Sequence, residues 1–283
     1  MPGLTMEEEA IRPELTPGER DLWRDEVERR CGICFSDSRL YVLRTALLLG
    51  MRRRGIETYR EYCGAVMRSP DEWDRLLEAI LNRETSFFRH PPSFEALSFE
   101  LLPRLAAARR KRGGGALTLW SAGCSSGEEA YSMAIAAREA LSPSFDRYEV
   151  LGSDLSAEAL AASRRARYSV RAVEEVPERL RGRYFTRDGS GYAVDPVIRA
   201  TVRFERINFI DPATYPAWPQ DVIFCQNVLI YFREPVRAQV AARLGGCLGP
   251  GGYLVCGPGE LAGVRVPGLE YQRTEQAGVL RRE

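Results

Sequence analysis

The clearest candidate for chemistry is a run of small residues that joins a predicted strand to a predicted helix. Residues 121–127 read Ser-Ala-Gly-Cys-Ser-Ser-Gly, and Glu128 and Glu129 follow directly. Small residues at such a junction let a ligand approach the backbone at the carboxyl edge of a sheet. The glycine spacing does not fit the GxGxxG dinucleotide fingerprint, and two carboxylates in the first helical turn would repel a phosphate. The pattern indicates a cofactor without phosphates or with positive charge, and S-adenosylmethionine fits both descriptions; a tight turn without a ligand is the alternative.

Side chains suited to cofactor binding also follow the next predicted strands along the chain. Asp154 ends the second strand, where a carboxylate can accept hydrogen bonds from both ribose hydroxyls of a nucleoside. Asn208 and Phe209 follow the third strand, and Gln226 and Asn227 follow the fourth. Amides at these positions could bond an adenine edge while an aromatic ring packs on its face. Taken singly, Asp154 could instead cap the following helix, and the amides could cap loops.

The elements that would position these residues follow from the pattern in the second half of the chain. Short apolar runs alternate there with helical stretches, which is typical of a parallel α/β sheet. A small hairpin at residues 184–192 interrupts the alternation, and two extended segments around residues 275–278 predict an antiparallel hairpin at one sheet edge. Strands are predicted at residues 116–121, 148–153, 201–207, 221–225 and 252–256, and helices at 128–141, 157–166 and 234–248.

The first half of the chain is predicted to be helical, because apolar residues recur there at three- and four-residue spacing. Thr16 and Ser69 each precede a proline at the first helical position and an acid three residues after the cap, which is a helix-start signal. The glycine triplet at residues 113–115 then separates the two halves. The predicted helices occupy residues 17–30, 39–54, 56–67, 70–82 and 93–112.

The composition excludes several classes of chemistry. The chain has 283 residues, about twice the ~150 residues of an ordinary domain, so one large domain or two ordinary domains are expected. Its 40 Lys and Arg residues balance 39 Asp and Glu residues, which argues against a globally basic nucleic-acid binder. His90 is the only histidine, which excludes HExxH zinc sites and multi-histidine centres, and we expect no metal.

The cysteines and the apolar runs bear on the compartment. Seven cysteines, an odd number without disulfide-like spacing, and the lack of a signal-peptide pattern indicate the reducing cytoplasm. Cys31 and Cys34 form the only CxxC pair, and one pair cannot close a four-ligand zinc site. The longest apolar run, residues 45–51, is far too short to span a bilayer, so no direct membrane insertion is expected.

Six segments, in this order, resemble the motifs of the CheR family, the S-adenosylmethionine-dependent methyltransferases that esterify glutamates on bacterial chemoreceptors. The resemblance runs from about residue 32 to the C-terminus, and the first and fifth segments are specific to that family. The segments are Thr-Ser-Phe-Phe-Arg (85–89), Leu-Trp-Ser-Ala-Gly-Cys-Ser-Ser-Gly-Glu-Glu-Ala-Tyr-Ser (119–132), Ser-Asp-Leu-Ser (153–156), Asn-Phe (208–209), Ile-Phe-Cys-Gln-Asn-Val-Leu-Ile-Tyr-Phe (223–232) and Leu-Gly-Pro-Gly-Gly-Tyr-Leu (248–254).

The resemblance implies an α/β fold, a Rossmann-like class I methyltransferase domain with a small antiparallel β insertion, preceded by a small all-helical N-terminal domain. We expect the helical domain to occupy residues 1–90 and to dock a receptor. A linking helix and glycine-rich linker would occupy residues 91–115. The methyltransferase domain would occupy residues 116–283, with its inserted β-subdomain at about residues 168–197.

The resemblance also implies a set of cofactor contacts for S-adenosylmethionine and its product S-adenosylhomocysteine. By motif they are Asn82, Thr85, Arg89, Gly123, Glu128, Asp154, Asn208, Phe209, Gln226 and Asn227. The chain departs from the family pattern at Arg83, where the family often has Asn and where Asn82 lies one step earlier, and at Gln226, where the family usually has Arg. The hairpin tip at residues 188–192 is shorter than in members that dock a C-terminal receptor pentapeptide, so such docking is not expected here.

The chemistry implied by the resemblance needs no histidine. A glutamate side chain has an unperturbed pKa of ~4.3, so it is ionised at neutral pH and requires no general base. Catalysis then depends on positioning, desolvation and the exclusion of water. We expect Arg89 to hold the carboxylate of the cofactor, and the catalytic contacts to the substrate to come from Arg104 or Tyr231.

A basic stretch in the helical half could dock a partner. Residues 29–68 hold nine arginines against three acids, a local excess of six positive charges. Such a surface could steer and hold an acidic receptor helix, and the docking candidates are Arg44, Arg52, Arg53 and Arg54. The alternative is a solvated helix face whose apolar side, Val42, Leu47, Leu48 and Leu49, packs inward. The stretch lacks the interleaved aromatic residues of a nucleic-acid stacking platform, so no nucleic-acid partner is expected.

The sequence therefore predicts a cytoplasmic, monomeric enzyme that methylates glutamates of the cytoplasmic helical domain of a chemoreceptor. A non-catalytic adaptor that binds S-adenosylmethionine or S-adenosylhomocysteine is an alternative, which the departure at Gln226 keeps open. A methyltransferase of a small carboxylate or a non-receptor protein is a third possibility.

Overall fold

The computed structural model describes residues 14–142, 147–275 and 277–283, and the chain divides into two compact units. The first unit ends at Asn82 and the second begins at Arg83, whereas the sequence predicts a helical domain that ends at residue 90. The difference arises because Phe87 is buried against two aromatic rings of the second unit. Its ring centroid lies 4.9 Å from that of Tyr168 and 5.0 Å from that of Phe185.

The first unit is helical over its described residues, and its helix starts confirm the cap signals in the sequence. Thr16 Oγ1 accepts a hydrogen bond from the Glu19 N–H at 3.3 Å while the Glu19 carboxylate accepts from the Thr16 N–H at 3.1 Å. Ser69 Oγ accepts from the Glu72 N–H at 3.2 Å. The helices are α1 (Pro17–Cys31), α2 (Leu40–Arg54), α3 (Tyr59–Arg68) and α4 (Pro70–Ile80), and their buried side chains include Trp23, Leu43, Leu47, Tyr62 and Leu77.

The strands of the second unit form one large mixed sheet and one small antiparallel sheet. In chain order they are β1 (Ala116–Ala122), β2 (Arg147–Asp154), β3 (Arg167–Ser169), β4 (Phe185–Asp188), β5 (Gly191–Val194), β6 (Val202–Arg206), β7 (Gln220–Cys225), β8 (Leu248–Cys256), β9 (Leu269–Arg273) and β10 (Gly278–Arg282). The large sheet has the order β6-β2-β1-β7-β8-β10-β9, with β10 antiparallel to both neighbours and the other pairs parallel. The antiparallel edge is as predicted, although Gln276 of the predicted turn lies outside the described residues.

Helices cover both faces of the large sheet. Successive side chains of a strand point to opposite faces, and both faces of this sheet carry apolar side chains that must be buried. On β1, Leu117 and Leu119 belong to one buried cluster, whereas Trp120 and Ala122 belong to another. The predicted helix at residues 93–112 is interrupted by a π-helical turn at Leu97–Leu101. The helices are α5 (Pro91–Ala96), α6 (Leu102–Lys111), α7 (Glu128–Ala140), α8 (Ala157–Arg165), α9 (Glu178–Tyr184), α10 (Pro196–Arg199) and α11 (Glu234–Gly246).

The small sheet has the order β3-β5-β4 and is inserted between β2 and β6 in the chain, together with α9 and α10. The parallel strands, the covering helices and this antiparallel insertion confirm the predicted fold, a Rossmann-like class I methyltransferase domain preceded by a small helical unit. Because the carboxyl ends of β2, β1, β6 and β7 lie at the same edge, the loops after these strands converge there.

Candidate cofactor and active site

The loop between β1 and α7 is a tight turn that small residues make possible. Gly123 and Gly127 have φ angles of +91° and +99°, in the left-handed region that favours glycine. A Cβ on Gly123 would collide with the side chain of Val228 from the loop after β7. The N–H groups of Gly123 and Cys124 both donate to the Ser153 carbonyl at 2.8 Å, which ties the loop to the end of β2.

Asp154 lies at the carboxyl end of β2, half-buried beside this loop. Its Oδ2 accepts a hydrogen bond from the Ser125 N–H at 2.8 Å, and its Oδ1 accepts from the Ser156 N–H at 2.9 Å. The N-cap of α8 is Ser156, whose hydroxyl accepts from the Ala159 N–H, so Asp154 does not take the capping role that was its alternative. A carboxylate has about four lone-pair sites, so Asp154 keeps the capacity to accept from ribose hydroxyls.

Two carboxylates occupy the first turn of α7. Glu128 is only 5% exposed and accepts from the Ser126 hydroxyl at 2.7 Å, and burial raises the pKa of its carboxyl. Glu129 accepts from the Ser121 hydroxyl at 2.6 Å. Burial raises the pKa of Glu129 to about 7; the Ser121 hydrogen bond and the charge of Arg89 oppose this rise, and the charge of Glu260 adds to it. Both carboxylates would be stabilised by a cationic ligand.

The segment from Thr85 to Arg89 approaches the same edge and is fixed on α7. The Phe88 N–H donates to the Ser132 hydroxyl at 3.0 Å, and Phe88 itself has a φ of +54°. Thr85 is half-buried, and the Arg89 guanidinium donates to the Glu84 carbonyl at 3.0 Å. Because its charge lowers the pKa of Glu129, Arg89 lies within electrostatic reach of the acids of α7.

The loop after β7 carries the two predicted amide residues in constrained positions. Gln226 is buried, and its Nε2 donates to the Ser93 hydroxyl at 2.8 Å, while its Oε1 has no hydrogen-bond partner among the described residues. Asn227 has a left-handed φ of +61°, and its Oδ1 lies 2.7 Å from Nε2 of His90. The lone histidine therefore helps to orient the side chain of Asn227.

A buried carboxylate that the sequence analysis did not assign holds this loop in place. Glu260 is 2% exposed and accepts four backbone hydrogen bonds. Its Oε2 accepts from the N–H groups of Gly257 at 2.7 Å and Asn227 at 2.9 Å, and its Oε1 accepts from those of Val228 and Leu229 at 2.9 Å each. Glu260 thus joins the loop after β8 to the loop after β7. The only sequence signal was a glutamate that follows Gly-Pro-Gly directly after a strand.

A cavity of about 680 Å³ lies beside this pair of loops. Its wall includes His90, Ser93 and residues 257–259, together with apolar side chains from β8, β9 and β10. The cavity therefore opens next to the groups that orient Asn227 and Gln226.

The structure places the remaining strand-end candidates at the same edge, with one difference for Phe209. Asn208 Oδ1 accepts from the Ile210 N–H at 3.3 Å. The Phe209 ring is 7% exposed and packs with Trp120 and Tyr215, at centroid distances of 6.3 and 6.2 Å. Most of that ring therefore belongs to the core.

The two predicted substrate contacts lie at opposite edges of the sheet. Tyr231 ends a 3₁₀ turn in the loop after β7, half-buried at the carboxyl edge. Arg104 lies on α6 and lines a cavity with Asp221 and Gly251, near the amino ends of β7 and β8. The expectation for Arg104 is therefore wrong: the helical pattern was correct, but α6 presents this residue to the edge away from the cofactor loops.

The first unit contains Asn82 and the predicted docking arginines. Asn82 is exposed and is the last residue of the first unit. Arg44, Arg52 and Arg54 are exposed on α2, whereas Arg53 pairs with the buried carboxylate of Glu72. Of the side chains considered for inward packing, Leu47 is buried but Leu49 is 50% exposed.

The CxxC pair lacks the chemistry of a redox motif. Cys31 is buried, and burial raises the pKa of its thiol to about 12, away from the low values of reactive thiolates. Among residues 14–142, 147–275 and 277–283, no group of three His, Cys, Asp or Glu side chains could hold a metal ion. Over the same ranges, no helix is both long and apolar enough to cross a membrane.

The residues at the carboxyl edge fit S-adenosylmethionine. The glycine loop allows close approach, and Asp154 can accept from a ribose. Buried Glu128 and half-buried Glu129 offer negative charge where a dinucleotide site would leave room for phosphate. Fold and site together define a S-adenosylmethionine-dependent methyltransferase of class I.

The chain belongs to the CheR methyltransferase family. The domain described as "CheR methyltransferase, SAM binding domain" matches residues 83–273, and the one described as "CheR methyltransferase, all-alpha domain" matches residues 19–81. Both matches agree with the division of the structure at Asn82.

Named relatives cover most of the chain. Chemotaxis protein methyltransferase 1 of Pseudomonas aeruginosa is 34% identical over 249 residues, which cover 85% of this chain and 89% of the relative. Chemotaxis protein methyltransferase Cher2 of Pseudomonas putida is 32% identical over 83% of this chain and 86% of its own length. The probable biofilm formation methyltransferase WspC of Pseudomonas aeruginosa is 32% identical over 89% of this chain but only 61% of its own length.

Proposed function

We propose that this enzyme transfers a methyl group from S-adenosylmethionine to glutamate side chains of a chemoreceptor, giving glutamate methyl esters. The observation that carries the proposal is the chemistry of the carboxyl edge. Its acids are suited to a cationic cofactor, and its one histidine is hydrogen-bonded to the side chain of Asn227. Such a site suits an acceptor that arrives already ionised, as a carboxylate with a pKa of ~4.3 does.

When bound, S-adenosylmethionine supplies an electrophilic methyl group. The residues of the chain would do the rest by binding and positioning. Asp154 would accept hydrogen bonds from the ribose, Glu128 and Glu129 would balance positive charge, and Arg89 would hold the amino-acid carboxylate. Tyr231 would contact the acceptor, and the cavity beside His90 has room for the residues that flank it.

Positioning is the main catalytic requirement, because the acceptor needs no deprotonation. The rigid loop after β7 would provide it: Glu260 fixes its backbone, and His90 fixes the side chain of Asn227. Closure of the site against water would strengthen these electrostatic contacts.

Receptor docking is proposed for the exposed face of α2. Tyr41, Arg44 and Leu49 are exposed there, at three- to five-residue spacing, with Arg52 one further turn along. This face combines apolar anchors with positive charge, which suits an acidic amphipathic helix. The names of the Pseudomonas relatives, chemotaxis protein methyltransferases, support a receptor of that kind as partner. Action on the cytoplasmic part of a receptor would place the enzyme in the cytoplasm.

The direct test is incubation with labelled S-adenosylmethionine and the cytoplasmic domains of the receptors of the host. Base-labile label on receptor glutamates is expected. If the enzyme binds the cofactor but labels no receptor, the proposal fails and a cofactor-binding adaptor or another carboxylate substrate takes its place. The pathway follows from which receptor is labelled, since the relative WspC is named for biofilm formation and not for chemotaxis.

The docking face has its own test and a matched control. The double variant Arg44→Ala, Arg52→Ala should raise the KM for the receptor and leave the affinity for S-adenosylmethionine unchanged. The defect should shrink at high salt, because screening weakens the wild-type attraction. Arg60→Ala, on α3 and also exposed, should leave the KM unchanged. An equal rise in KM in both proteins would refute docking on α2.

A further inference from the structure

Arg104, displaced from the catalytic edge, belongs to a group of arginines around a second cavity. The cavity has a volume of about 390 Å³ and lies near the amino ends of β7 and β8. Its wall includes Asp221, Gly251 and four arginines, Arg104, Arg109, Arg112 and Arg281. We call it the arginine cavity.

The arginine cavity carries uncompensated positive charge. Arg109 is paired with Asp221, whose Oδ2 lies 2.6 Å from its Nη2, and Arg104 is paired with Glu100 at 3.1 Å. Neither Arg112 nor Arg281 forms an ion pair with a carboxylate of the described chain. Glu270 lies opposite Arg281 in the register of β9 and β10, so four guanidinium groups against three carboxylates leave an excess of one positive charge.

The arginines come from separate elements of the second unit. Arg104 and Arg109 lie on α6, Arg112 follows that helix directly, and Arg281 comes from β10. The Arg281 guanidinium lies over the buried Tyr253 ring, 6.0 Å from its centroid, and next to Gly251. Attraction to the negative, C-terminal end of α6 would explain the positions of Arg109 and Arg112, but not those of Arg104 and Arg281.

We propose that the arginine cavity binds a small phosphate-bearing anion. Planar guanidinium forks match phosphate oxygens in pairs, and the volume lies in the range of small-molecule sites. Asp221 begins β7 and Gln226 follows its end, so the cavity lies roughly 16 Å along the strand from the cofactor edge. The site is therefore separate from the cofactor site, and its anion could be inorganic phosphate, pyrophosphate or the diphosphate of a nucleotide.

Isothermal titration at low ionic strength with phosphate, pyrophosphate and ADP as separate probes tests the proposal. Pyrophosphate or ADP should bind with one site per chain, and affinity should fall as salt is added. Tighter binding of ADP than of pyrophosphate would identify a nucleotide site, and equal binding would identify a diphosphate site. Arg112→Ala and Arg281→Ala should each weaken binding by about tenfold.

The controls separate the site from general charge. The double variant Arg171→Ala, Arg265→Ala removes two exposed arginines elsewhere in the second unit and should bind pyrophosphate like the wild type. The double variant Arg112→Ala, Arg281→Ala should keep the wild-type affinity for S-adenosylmethionine, which also reports that the protein is folded. No binding of any probe to the wild type, or an equal loss in both double variants, would overturn the proposal.

Discussion

Removal of the Glu260 carboxylate should loosen the loop that carries Gln226 and Asn227. Glu260→Gln keeps the shape of the side chain but replaces one acceptor oxygen with an N–H₂ donor. Each oxygen of Glu260 accepts from two backbone N–H groups, so whichever way the amide lies, two N–H groups would face a donor. An unpaired buried donor costs about 1–3 kcal/mol, and relaxation recovers part of the sum, so we expect about 3 kcal/mol of destabilisation.

Thermal unfolding and calorimetric titration with S-adenosylmethionine measure the two consequences. For a domain of about 200 residues, 3 kcal/mol lowers Tm by roughly 6–12 °C. The affinity for S-adenosylmethionine, measured well below that Tm, should also fall, because Asn227 would no longer be held in its left-handed conformation. Glu270→Gln, an exposed glutamate on β9, is the matched control and should change neither quantity. A Glu260→Gln protein with wild-type Tm and wild-type affinity would refute the reasoning.

Three further outcomes are expected. Asp154→Ala and Glu128→Ala should each weaken S-adenosylmethionine binding by about tenfold or more, as measured by calorimetry. Circular dichroism should show that both variants keep the fold. Unchanged affinity in either variant would contradict the assignment of that residue. The affinity of the wild type for S-adenosylmethionine should fall by up to tenfold per pH unit below about pH 7, because a cationic ligand requires ionised Glu129. Glu129→Gln should remove this pH dependence. Arg104→Ala should leave kcat unchanged, and a large fall in kcat would return Arg104 to the active site.

The strand-end candidates could be predicted because one rule covers them. In a parallel sheet the carboxyl ends lie at one edge, so Asp154, Asn208 and Asn227 could be grouped from the order of strands alone. Glu260 could not be found in this way, because its role depends on β7 lying next to β8 and on a loop conformation that brings Asn227 to a residue 33 positions later. The prediction that Arg104 contacts the substrate was wrong for a related reason. Helical periodicity indicates which face of a helix is buried, but not which edge of the sheet the helix approaches.

The acids of the carboxyl edge perform two different electrostatic tasks. Glu260 and Asp154 accept hydrogen bonds from backbone N–H groups, so their negative charge is stabilised by the fold itself. Glu128 and Glu129 have few such donors, and burial raises the pKa of both. For Glu129 the folded pKa of about 7 lies above the ordinary value of a glutamate, 4.5. The folded state therefore binds more protons between those two values, and the apo fold loses stability as pH rises through them. That loss is on the order of 3 kcal/mol, and a bound cation would offset part of it. Glu129→Gln should therefore stabilise the apo protein at pH 8 while it weakens S-adenosylmethionine binding. The destabilising burial of Glu129 is therefore consistent with a site for a cationic cofactor.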